Sequence, residues 1–201
     1  MGMEPPIKLE KPGAGLPGRR LMVMKPLFRL AARSLPTEMF RRLYAEEREK
    51  ILRLCAELSE EVGRRPVLVP QLNGLEDSSR YWSPFMCLQH LSIVDAGLSG
   101  FILALEAGEK IDHVVRTEDV KPEEDAGPIE VRKFEVGTRR TSARLAPLTQ
   151  FNQVRSYAHP WFGPLSARQW FALRAVHLRI HRKQLEMILS EPSLGNVHAG
   201  G

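Results

Sequence analysis

From Ser166 to Leu189 the chain reads SARQWFALRAVHLRIHRKQLEMIL, and its spacing predicts one amphipathic helix. Ser166 suits the N-cap, with Gln169 three residues on to complete a capping box. Leu165 and Trp170 fall where a hydrophobic staple would sit. Trp170, Leu173, Val176, His177, Ile180, His181, Gln184 and Ile188 recur at helical spacing and form one stripe. Two histidines therefore lie one turn apart on the inward face, and imidazoles at i and i+4 can bind one metal ion. A chain carrying such a helix must either satisfy two core histidines by hydrogen bonding or bring a third ligand to them.

Two further helices are predicted upstream. The first runs from about Thr37 to Val62, with Pro36 before it and Gly63 as its C-cap. Phe40, Leu43, Tyr44, Ile51, Leu54, Leu58 and Val62 make its core stripe, and at about 1.5 Å per residue it has bundle length. Glu47 interrupts that stripe and is expected at a boundary, reaching solvent. The second helix starts at Ser83 and Pro84, an N-cap followed by proline at the first helical position, and ends at Gly108. His90 sits at the edge of its apolar face (Leu88, Leu91, Val94, Leu98, Phe101, Ile102, Leu105). Asp95, near the same stripe, is a candidate to orient a histidine through its second ring nitrogen; a simple buried hydrogen bond is the plainer role.

Residues 109–146 are the hardest to read. Ile129 to Val136 alternates as a short strand would, with Val131 and Phe134 inward. A crossover between two parallel bundle helices needs a connection of about this length. His113 here is expected at the surface. Pro147 is expected to open a third helix, Leu148 to Tyr157, since Gly137 and Pro147 argue against one continuous helix. His159-Pro160-Trp161-Phe162-Gly163-Pro164 reads as a rigid aromatic turn into the final helix. Residues 191–201 are a tail, in which His198 carries no signal.

The net charge of +5 is confined to residues 1–34, which hold seven Lys/Arg and two Glu. That segment reads as a flexible basic extension, in which Leu21 to Arg33 is an apolar stretch broken by Pro26 that packs on the domain. Residues 35–190 are one domain. Between Val136 and Leu185 there are nine basic residues and no acid. Either this is a field that attracts an anionic small molecule, or it is a solvated face packed near the acidic first half. Aromatic residues are not interleaved with the charge, which argues against a nucleic-acid platform. No apolar run reaches the roughly 20 residues of a spanning helix, and two distant cysteines, Cys55 and Cys87, suggest buried thiols in a reducing compartment. A cytoplasmic protein with no membrane role is expected.

His177-Leu178-Arg179-Ile180-His181 lacks the glutamate that a zinc protease places after its first histidine, so that chemistry is excluded. No phosphate-binding glycine motif occurs. Adding His90, inward on another long helix, gives three neutral imidazoles with open coordination positions, the arrangement of a catalytic metal.

Trp82…His90-Leu91 together with HPWFGPLSARQWFALRAVHLRIHRKQ resembles the DinB-like (DinB/YfiT) superfamily, in particular a subgroup of unknown function with an HPxFG turn and a W…HxxxHxxQ helix. The likeness covers roughly residues 37–190. It implies an all-α, four-helix bundle of up-down-down-up topology with a long irregular crossover, to which the reading of the residues adds room for a short strand pair. It further implies a divalent metal, zinc or nickel foremost, on His90, His177 and His181, and in some relatives a low-molecular-weight thiol as cosubstrate. A homodimer is common among such bundles. The extension of residues 1–34 and the proline-broken third helix depart from the simplest members.

The leading expectation is therefore a metal-dependent thiol transferase, isomerase or hydrolase acting on a small anionic substrate, with Arg174 or Arg182 as anion contacts (surface charge being the plainer role of either), Gln184 as a supporting or substrate-binding group, and His159 as a supporting group of the site or a cap of its own turn. The alternatives are a non-catalytic metal-binding module of the same fold, and a nucleic-acid accessory protein using the basic extension.

Overall fold

The structure, a computed structural model, describes residues 7–16, 18–112, 116–151 and 154–192. His113, His198 and the ends of both tails lie outside them. Among the described residues there are six helices: α1 (Gly18–Ser34), α2 (Thr37–Cys55), α3 (Glu60–Arg64), α4 (Pro84–Ala107), α5 (Ile129–Leu145) and α6 (Ala167–Leu189). Two small antiparallel pairs complete it. β1 (Val67–Leu68) pairs with β2 (Tyr81–Trp82), and β3 (Ser156–His159) pairs with β4 (Gly163–Ser166).

The bundle consists of α2, α4, α5 and α6. Its directions follow from which residues meet. Along α2 and α6 the partners rise together: Arg168 donates to Leu35 O, the Arg41 guanidinium lies over Phe171, and Arg182 pairs with Glu47. These two helices are parallel. Against α6, α4 runs the other way, with His90 beside His177, Asp95 on Arg174 and Phe101 on Trp170. Between α2 and α5, Arg48 reaches Thr138 while Arg41 reaches Leu148 O, so these are antiparallel as well. The order is up-down-down-up, as expected. The end of α4 and the start of α5, two parallel helices, therefore lie at opposite ends of the bundle.

The predicted boundaries of α4 and α6 are met. Ser83 Oγ accepts the Met86 N–H at 3.3 Å, and Gly108 closes α4 at φ 74°, a left-handed conformation that glycine adopts without strain. Gln169 Oε1 accepts the Ser166 N–H at 3.0 Å at the start of α6. α4 has the length and apolarity of a membrane-crossing helix (mean hydropathy 1.4), which corrects the expectation that no segment does. In the bundle it is a core helix whose buried face also carries His90, Asp95 and Ser99.

Elsewhere the expectations are corrected. The first long helix is two: α2 ends at Cys55, and Ser59 starts α3 by accepting the Val62 N–H at 3.3 Å. Gly63 is therefore not a cap. It is buried within α3, and a Cβ there would overlap the Phe85 ring. Gly63→Ala is expected to destabilise the chain by about 1–3 kcal/mol through overpacking, despite alanine's better helix propensity. A urea melt checks this, and a neutral or stabilising result would contradict the close approach.

Ile129–Val136 is not a strand but the first half of α5, and the third bundle helix is α5 rather than Leu148–Tyr157. Glu130, Phe134, Thr138, Thr141 and Leu145 recur on its buried face. Gly137 is tolerated because it faces open space, so it costs only its propensity of about 1 kcal/mol. After Pro147 the chain instead enters the β3–β4 hairpin, turning through Pro160–Phe162 into Gly163 at φ 70°. Within the extension, Gly18–Ser34 is one helix through Pro26, packed against α6.

Candidate metal centre

Two helices and a short ladder build the site. Ser83 and Pro84 fix the start of α4 so that His90, two turns in, points at α6. The β1–β2 ladder holds Trp82 immediately before that start, paired with Val67. On α6 the i, i+4 spacing puts His177 and His181 side by side. Together His90, His177 and His181 form a group that can hold a metal ion: one ring nitrogen from each lies within 4.8 Å of the others. Ring centroids are 4.5–5.1 Å apart. Trp82 stacks on His181 (5.8 Å between centroids, 10° between planes) and tilts against His90 at 4.9 Å.

The hydrogen bonds around the rings decide which nitrogens face one another. His90 Nδ1 lies 2.7 Å from Val120 O, a pure acceptor, so Nδ1 carries the proton and Nε2 presents its lone pair. That Nε2 is 3.1 Å from His177 Nε2. His181 Nδ1 is 2.8 Å from Gln184 Oε1, and the Gln184 amide is oriented by donating from Nε2 to Ser79 O at 2.7 Å. By the same reasoning His181 Nε2 is left unprotonated. Orienting acceptors on Nδ1, with Nε2 free, are what metal-ligating histidines use. Only a proton on His177 or a cation can fill the contact between the two facing Nε2 atoms, so the donor set fits a divalent ion with nitrogen preference.

Burial favours the same state. It lowers the pKa of His90 to about 4, only partly offset by the bond to Val120 O. It also holds His177 and His181 well below the ordinary value, helped by their imidazole neighbours. Neutral imidazoles are the ligating form. For the metal-free chain the sign is clear. Unfolded histidines protonate near 6.5 while His90 and His159 stay neutral down to about 4. Over that interval the unfolded state binds more protons, so stability falls as pH drops. Melting temperatures measured from about pH 7 to about pH 4 are expected to decline steadily; a flat profile would contradict the buried neutral histidines.

The rings face a cavity of about 360 Å³ with mainly apolar walls, including Trp82, Phe101, Trp161 and Trp170. His159 lines it too, but its Nδ1 accepts the Trp161 and Phe162 N–H groups at 3.0 and 3.3 Å, so it braces the hairpin turn rather than joining the three histidines. Gln184 supports His181 and is fully buried.

Asp95 has the plainer of its two expected roles, a buried hydrogen-bond acceptor, whereas Arg174, Arg182 and Glu47 are placed differently from expectation. Asp95 bonds no histidine; it accepts from Arg174 Nε (2.6 Å), Tyr44 (2.8 Å) and Thr141 (2.5 Å). Arg174 is therefore a buried structural cation, neither a surface charge nor an anion contact of the cavity. Arg182 is held between Glu47 and Glu186, so Glu47 is a buried partner rather than a solvent-facing boundary residue. The thiols are free and buried; burial pushes Cys55 up to about 12 and Cys87 well above its usual value, which removes both as nucleophiles. Sequence reasoning missed Val120, whose carbonyl arrives from the crossover, and the cavity residues supplied by α1. Neither has a motif, because one acts through its backbone and the other through ordinary apolar side chains.

No protein-family model matches the chain, and no curated protein matches it. Among solved structures, TT2238, described as a four-helix bundle protein, is similar at 17% identity with a TM-score of 0.47, over 74% of this chain and 96% of that one.

Proposed function

We propose that this is a DinB-like metalloprotein in which His90, His177 and His181 hold a zinc or nickel ion, and that it acts as a thiol-dependent transferase or isomerase, or as a hydrolase, on a small molecule. The observation that carries the reading is the convergence of three buried or half-buried imidazoles, two with Nδ1 set on an orienting acceptor, at the wall of a mainly apolar cavity. The ion would supply Lewis acidity, lowering the pKa of a thiol or water toward neutrality.

The chain's own groups have definite tasks in this reading. Val120 O and Gln184 hold the imidazoles of His90 and His181 in the ligating tautomer. Trp82 covers two of the rings and keeps water from that side. Three ligands leave room for a substrate donor from the cavity. With Arg174 and Arg182 committed to carboxylates, an anionic end of the substrate would meet Arg116 or Lys121, which also line the cavity. The free buried thiols suit the reducing cytoplasm.

Incubating metal-loaded protein with a panel of small thiols and electrophiles tests turnover. Turnover abolished by His177→Ala is the expected result. Metal and thiol binding with no product from any pair would favour a non-catalytic metal-binding module instead.

A further inference from the structure

The cavity is not closed by the bundle alone. Pro12 and Leu16, with Met24 and Phe28 of α1, form one wall of it, and all four lie in the N-terminal extension. Leu16 is buried although it precedes any bundle helix. This wall is pinned at two places. On one side Glu76, a buried carboxylate, accepts the Gly13 and Gly15 N–H groups on a single oxygen at 3.0 and 2.8 Å. Both glycines have positive φ (86° and 82°), which turns the two N–H groups toward the carboxylate. Asp77 adds the Glu10 N–H at 2.8 Å. On the other side Arg29 donates to Phe162 O at 3.0 Å, and the Phe28 and Phe162 rings meet at 4.9 Å. A loose extension would not bring a buried acid, two left-handed glycines and a ring pair to the rim of one cavity.

Resting on the metal reading above, we propose that the cavity takes a ligand with an apolar, ring-sized body and one metal-binding donor atom, and that residues 10–16 and α1 form the wall that selects this body. The space suits a small aromatic molecule. The wall adds only apolar side chains to it. The donor atom would approach the three Nε2 atoms while the body lies between Phe28 and the aromatic residues of α4 and α6. A short, fully charged thiol reaches the same donors and can set its sulfonate against Arg116 or Lys121, but both cations are exposed, so that pairing is worth no more than about fivefold in affinity, and the apolar surface stays uncovered. Discrimination then follows from apolar burial and is worth about tenfold or more for a ring.

The test uses the full chain loaded with cobalt, whose thiolate absorption band reports binding. Benzyl mercaptan and mercaptoethanesulfonate are titrated separately. Benzyl mercaptan is expected to bind about tenfold or more tightly than the sulfonate. Glu76→Ala, which releases the strap, and Phe28→Ala, which removes the ring, are each expected to reduce that preference severalfold while leaving cobalt stoichiometry and sulfonate binding unchanged. Equal binding of the two thiols, or preference for the sulfonate, would overturn the apolar assignment. A preference untouched by both variants would overturn the role of the N-terminal wall. Failure of the wild-type chain to take up cobalt at all would instead overturn the metal reading beneath it.

Discussion

Asp95→Ala is expected to cost about 3–5 kcal/mol of folding stability, as much as truncating a fully buried aromatic side chain. The reason is the position of the carboxylate. Tyr44 of α2, Asp95 of α4, Thr141 of α5 and Arg174 of α6 meet at one level, so each bundle helix contributes one group. Arg174 bonds Asp95 through Nε at 2.6 Å and Nη2 at 3.3 Å, donates to Thr141 at 2.8 Å, and lies 3.5 Å from the centre of the Tyr44 ring. Burial, with the adjacent carboxylate, holds the Tyr44 phenol above its usual range, so it stays a neutral donor. Asp95 and Arg174 are 2% and 3% exposed, so removing the acid strands a cation where water cannot reach it. Asp95→Asn keeps the acceptor and should cost less. Asp95→Leu combined with Arg174→Met should recover much of the loss, because replacing both charges avoids the stranded one. Urea melts of the singles and the double give the coupling directly; a cost below about 1 kcal/mol for Asp95→Ala would show that the network is not a structural lock.

The second large effect concerns the metal. His177→Ala is expected to lower affinity for a divalent ion by more than roughly 100-fold, since even outer partners of metal ligands carry 10–100-fold. Gln184→Leu, which leaves all three ligands in place but removes the acceptor of His181 Nδ1 and the donor to Ser79 O, is expected to fall within that smaller range. Competition with a chromophoric chelator measures both. Similar affinities for the wild type and His177→Ala would place the ion elsewhere.

The parts of the fold readable in the sequence are those where local chemistry and tertiary packing agree. Ser83-Pro84 and Gly108 bound α4, and Ser166 with Gln169 starts α6, because capping groups act within one turn of themselves. The three histidines were readable because His177 and His181 lie one turn apart on the stripe of α6, and His90 lies at the edge of the apolar face of a second long helix. What was not readable depends on distant partners. The buried face of α5 includes Glu130, Thr138 and Thr141 among apolar residues, so its apolar pattern alone resembles a short strand; Thr141 is inward because Asp95 waits for it. Glu47 looks like a boundary residue until Arg182, 135 positions away, is brought beside it. The end of α2 was hidden by a stripe that continues through Leu58 and Val62, although Ser59 followed by two glutamates is itself a helix start. The N-terminal wall was invisible because Met24 and Phe28 become cavity residues only through Glu76 and Phe162.

The central claim is that His90, His177 and His181 are a metal site rather than three satisfied core histidines. The most direct measurement is the metal content of the purified full chain beside that of the His90→Ala/His177→Ala/His181→Ala variant, both exchanged into metal-free buffer after loading. One tightly held divalent ion per wild-type chain and none in the folded variant is the predicted result. A wild-type chain that retains no ion, or a variant that retains as much, would contradict it.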